Sequence, residues 1–138
     1  MTKVDFPALF EELKQVSHKA LAEAPAPTPM IVGSPSTPLG NDVDPKQKTW
    51  FVADGVCGFA TVVLSSGRTG FAQWLLKNNF GRKWWSFGRT KGVGIDTFER
   101  YGFVYVGQSY EKNRYVASRI AQHLRANGID AWVDARID

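Results

Sequence analysis

The chain has 138 residues, 43% of them hydrophobic, with 17 Lys/Arg against 13 Asp/Glu and a net charge of +4. That length and apolar share fit one domain with a real core. The lone Cys57 excludes an internal disulfide and a cysteine zinc site, fits a reducing compartment, and no run of about 18 apolar residues offers a membrane span.

The charge is uneven. Residues 1–66 hold five Lys/Arg and seven Asp/Glu, and residues 67–138 hold twelve and six, so the N-terminal part carries −2 and the rest +6. A basic C-terminal part favours an acidic partner. The N-terminus carries acids and lacks a secretory pattern, so the cytoplasm, of a cell or of an infected host, is the expected location.

Residues 4–24 have helical spacing, with Phe6, Leu9, Phe10, Leu13, Val16, Ala20 and Leu21 on one stripe. Asp5 before Pro7 suits a helix start, and Pro25 stops it. Such a helix needs a groove, either on its own domain or on a partner. Residues 25–48 contain Pro25, Pro27, Pro29, Pro35, Pro38 and Pro45, a density that predicts an extended arm with neither helix nor sheet ladder.

Residues 49–53 and 56–64 are strand-like, and Asp54-Gly55 between them is a hairpin signal. Ser65-Ser66-Gly67 reads as a turn and cap before a helix over 68–79, with Phe71, Trp74 and Leu75 on one side. A short aromatic strand follows at 83–87. The glycine-rich connection 88–100 holds a further hairpin through Val93 and Ile95. Residues 101–106 alternate, with Tyr101, Phe103 and Tyr105 on one side and Gly102, Val104 and Val106 on the other, which predicts a strand. Ser109 is the natural N-cap of the next helix, and Glu111 sits in its first turn. Val116, Ala117, Ile120, Ala121 and Leu124 form its stripe, Asn127-Gly128 ends it, and 129–133 alternate again.

From Val56 onward the order is β-α-β-β-α-β. The expected class is therefore α+β, a ferredoxin-like antiparallel sheet with an added N-terminal helix. The chain divides into a helix at 1–24, a Pro-rich arm at 25–48 and an α+β domain at 49–138.

Cations and rings are interleaved in the basic half. Arg82, Lys83, Arg89 and Lys91 lie beside Trp84, Trp85, Tyr101 and Phe103, and Phe59 on the first strand of the domain would stand beside them. Rings that stack on bases next to side chains that meet phosphates are what single-stranded nucleic acid needs. Burial of those rings under the N-terminal helix is the competing reading. Catalytic signals are weak. Cys57 has no base beside it in the sequence, His18 and His123 fall on helix surfaces, and Asp130, Asp134 and Asp138 read as solvated charge rather than a metal cluster. Residues 88–94 carry glycine, Lys and Thr but not in the order of a phosphate loop.

Two resemblances follow from the motifs. Tyr101-Gly102-Phe103-Val104 is similar to the centre of the RNP1 box of RNA-recognition motifs, which implies Tyr101 and Phe103 as ring positions on the third core strand. Glu99, Arg100 and Val106 depart from that box. TPMIVG, ADGVCGFA and GQSYEKNRY, with a closing small-residue strand and Arg-Ile-Asp, resemble a family of small, uncharacterised tailed-phage and prophage proteins. That resemblance implies a viral origin and no site.

The expectation is a non-enzymatic binding module with no cofactor and no metal. It contacts nucleic acid through Arg82, Lys83, Trp84, Trp85, Arg89, Lys91, Tyr101 and Phe103. The alternative is a protein-interaction or assembly component, a virion part, host-factor binder or homo-oligomer, that uses the N-terminal helix and arm.

Overall fold

The structure is a computed structural model, and it describes residues 4–33, 49–52, 55–86 and 89–138, with 30–33, 49–52, 86 and 89–91 described by backbone alone. Asp5 caps the first helix, α1 (Phe6–Glu23), its Oδ1 accepting from the Ala8 N–H at 3.1 Å, with Pro7 in the first turn. Two four-residue strands follow, β1 (Met30–Gly33) and β2 (Thr49–Val52), paired antiparallel with each other. Then come β3 (Gly58–Leu64), α2 (Gly70–Lys77), β4 (Gly81–Ser86), β5 (Arg89–Ile95), a 3-10 turn at Glu99–Tyr101, α3 (Tyr110–Ala126) and β6 (Ala131–Ile137).

The described residues are thus α+β, with three α-helices and a four-stranded antiparallel sheet in the order β4-β5-β3-β6. The period of two along β3 sorts its side chains. Ala60, Val62 and Leu64 face a core built with Phe71, Ala72 and Leu75 of α2 and Val116, Ala117, Ile120 and Leu124 of α3, while Phe59, Thr61 and Val63 face the other way. All three helices contribute to that core. Leu9, Phe10, Leu13 and Ala20 of α1 are at most 2% exposed within it, so the stripe of α1 is occupied inside this chain rather than offered to a partner. Arg119 of α3 ties down the far end of α1. Its guanidinium donates to Glu23 Oε2 at 2.9 Å and to Tyr115 Oη at 3.1 Å, and those bonds, Glu23 first, hold its pKa above the ordinary value.

Several expectations hold. Ser109 caps α3 by accepting from Lys112 N–H, and Gly128 follows it at φ 79°. Others are corrected. Val93 and Ile95 do lie on a strand, but on one strand, β5, that pairs with β4 instead of forming a hairpin inside 88–100. β2 pairs with β1 inside the expected arm, not with residues 56–64. A ladder therefore does form there, between the prolines at 29 and 35, where Met30–Gly33 contains none. Asp54 of the expected hairpin turn, Phe87 of the expected aromatic strand and residues 34–48 lie outside the described residues. Thr69 caps α2 in place of the Ser65-Ser66 pair, accepting from Ala72 N–H at 3.3 Å.

The largest correction concerns residues 101–106, which form no strand. Glu99–Tyr101 is a 3-10 turn closed by Gly102 at φ 102°, a left-handed conformation that no regular strand contains. The backbone then takes its hydrogen bonds from α1 instead of a ladder. Val104 N–H donates to Ser17 Oγ at 3.0 Å, and His18 Nε2 donates to the Gly102 carbonyl at 2.9 Å. Asn113 of α3 secures the other end, its Nδ2 lying within 3.1 Å of the carbonyls of Gly58, Gly107 and Ser109. β5 occupies the position expected for residues 101–106, beside β3.

Candidate nucleic-acid interface

The side chains that face away from the helices make one surface across four strands. Register fixes its rows. Phe59 is opposite Arg136, Thr61 opposite Asp134 and Val63 opposite Trp132, while on the far side Gly94 is opposite Arg82 and Gly92 opposite Trp84. Directly opposed residues share a face, so Arg82, Trp84, Phe59, Trp132, Asp134 and Arg136 belong to this helix-free side.

Trp84 organises the middle of it. A Cβ at Gly94 would stand 2.7 Å from an indole carbon of Trp84 and 3.2 Å from Thr61 Cγ2, so the missing side chain at Gly94 lets the ring lie down on the sheet. The indole Nε1 then reaches Asp134 Oδ2 on β6 at 2.9 Å. Around this half-buried ring, Phe59 is 51% exposed and Trp132 36%. Arg136 approaches Asp134 at 3.3 Å, and Arg82 donates through Nε and Nη2 to Asp96 Oδ1 at 3.0 and 2.9 Å. Both guanidiniums remain largely open to solvent and keep further donors.

The residues singled out from sequence divide between surfaces. Arg82 and Trp84 lie on the helix-free face. Trp85, after a register shift in β4, is 62% exposed. Lys83 is opposite Val93, which belongs to the core, and therefore points to the helix side. There it lines a cleft of about 280 Å³ with Ser66, Arg68 and Gln73. Arg89 and Lys91 lie on β5, and their side chains fall outside the described residues.

Tyr101 and Phe103 do not join this surface. Phe103 is 2% exposed, its ring edge-on to Phe10 at 5.4 Å, so it is sealed beneath α1. Tyr101 packs edge-on against Phe80 at 5.1 Å and under the Arg100 guanidinium at 5.0 Å, a cluster completed by Phe98. Only Tyr105 of the three alternating rings is open, at 70%. These rings were expected outward because alternation was read as pleat, and the pleat is absent there.

Trp132 and Arg136 were missed as site residues. Their signal was present in AWVDARI, where Trp132, Asp134 and Arg136 recur at every second position. His123 Nε2 lies 3.3 Å from Glu12 of α1, and Cys57 is exposed just before β3. Among the described residues no three of His, Cys, Asp and Glu come together as a metal-ligand group, and no helix is long and apolar enough to cross a membrane.

Comparison with family models, with curated proteins and with solved structures yields no match.

Proposed function

We propose that this chain is a non-enzymatic binding module of the ferredoxin-like class that takes single-stranded nucleic acid on the helix-free face of its sheet. The strand order β4-β5-β3-β6, with α2 and α3 as the two connecting helices, supports the class. The observation that carries the function is the pairing of Phe59 with Arg136 in register, with Trp132 on the same face of β6 two residues before Asp134. Two open rings on adjacent strands lie about 13 Å apart along the strand direction, with the Arg136 guanidinium beside Phe59 and the Trp84–Asp134 contact between the two levels. Bases stack on the rings while a phosphate next to Phe59 meets Arg136. Phe59 and Trp132 thereby take the roles first given to Tyr101 and Phe103. Arg82 and Trp85 extend the surface toward β4.

The resemblance of its motifs to small tailed-phage and prophage proteins favours a viral origin, with the host cytoplasm as the place of action. The reading is tested by anisotropy titration of a labelled oligonucleotide at low and moderate salt. Binding that weakens as salt rises, and that falls about 5- to 100-fold in Phe59→Ala, supports it. Absence of binding at low salt ends it.

A further inference from the structure

We propose that β6 is the pairing edge of a two-fold symmetric dimer of this chain, an assembly that goes beyond the nucleic-acid reading and is measured without nucleic acid. β6 ends the sheet order, and among the described residues no strand lies on its outer side. The direction of its backbone groups follows from the bonds to β3. Asp138 N–H donates to the Cys57 carbonyl and Ser65 N–H to the Asp130 carbonyl, so the even-numbered residues of this stretch point inward. Val133, Ala135 and Ile137 then direct their N–H and C=O outward. Ala131 does so too, and its carbonyl is already taken, by Arg125 Nη1 at 2.7 Å.

A second copy approaching antiparallel must match outward residues with outward residues, which allows a two-fold axis from Trp132 to Arg136. An axis at Trp132 calls on the occupied Ala131 carbonyl and one at Arg136 opposes Arg136 to itself, which leaves Val133, Asp134 and Ala135. An axis at Val133 calls on the Ala131 carbonyl that Arg125 occupies. An axis at Asp134 sets Asp134 directly against Asp134 of the second copy, a like-charge opposition. The axis at Ala135 has neither fault. It places Asp134 opposite Arg136 of the second copy, and symmetry makes that pair twice. On the other face it sets Ile137, 60% exposed in the single chain, opposite Val133 of the second copy. The Arg125 bond disfavours one register and like charge another, and the one that remains also covers the exposed Ile137. The product is a continuous eight-stranded sheet, a form of strand addition that removes an exposed edge.

The experiment is sedimentation equilibrium of the full chain over a range of concentrations, with circular dichroism to confirm folding. The wild type should reach twice the chain mass. Arg136→Asp and Asp134→Arg should each weaken the dimer by about tenfold or more, since each opposes like charges twice. Mixing these two variants restores opposite charges at every pair and should restore the dimer. Ala135→Pro deletes the central outward N–H, leaves the ladder to β3 intact, and should also dissociate the dimer. A wild type at the single-chain mass at every concentration overturns the proposal. So does a dimer that Arg136→Asp and Ala135→Pro leave unchanged.

Discussion

Trp84 Nε1 donates to Asp134 Oδ2 at 2.9 Å, joining the two edge strands of the sheet by a side chain laid across the strands between them. Gly94 makes this contact feasible, because a Cβ there would stand 2.7 Å from the indole. Gly94→Ala should therefore lift the ring and cost about 1–3 kcal/mol, as overpacking does. Trp84→Phe keeps most of the apolar contact, loses one hydrogen bond and should cost about 1 kcal/mol beyond any packing loss. Urea unfolding of the two variants measures both, and equal stability of Gly94→Ala and wild type would show that the ring does not lie where described.

Ser17 is the hinge of a second long-range contact. It is 1% exposed, donates to the Lys14 carbonyl at 2.6 Å and accepts from Val104 N–H at 3.0 Å. Ser17→Ala removes the acceptor and leaves a backbone N–H without it, for an expected loss of about 1–3 kcal/mol. Amide hydrogen exchange gives the specific readout: Val104 should exchange faster in the variant than in the wild type. Unchanged protection at Val104 would separate the loop from α1.

Phe103 and Tyr105, two residues apart, should behave as opposites. Phe103→Ala opens the core against Phe10 and should cost about 3–5 kcal/mol, whereas Tyr105→Ala at an exposed site should stay within about 0.5 kcal/mol. A period-two strand would have placed both rings on the same side with similar exposure. Denaturation midpoints for the pair therefore discriminate the turn-and-loop conformation from the strand that the alternation suggests.

That contrast marks where the sequence is informative. Helices α1 and α3 were legible because their signals are local: Asp5 and Ser109 cap, Pro25 and Gly128 stop, and the apolar spacing holds for four or five turns. The alternation of β3 was equally plain. Residues 101–106 misled because their conformation is decided 80 and more positions away, by Ser17 and His18, whose partners no local pattern announces. The same holds for β2, whose partner is Met30–Gly33 rather than the neighbouring strand. The candidate surface was half legible. Arg82 and Trp84 were found through their interleaving, but Trp132 and Arg136 were passed over because β6 was read only to residue 133. Lys83 was grouped with Arg82 by adjacency, although neighbours on a strand face opposite ways.

Indole resonances read directly whether nucleic acid meets the helix-free sheet face. The chain has five tryptophans, and Trp74 sits on α2 against Phe10 and Phe71 in the helix layer. In a titration of ¹⁵N-labelled protein with a short single-stranded oligonucleotide at low salt, the indole N–H signals of Trp84 and Trp132 should shift while that of Trp74 stays in place. Movement of Trp74 without Trp84 and Trp132, or no movement of any indole, would contradict the assignment.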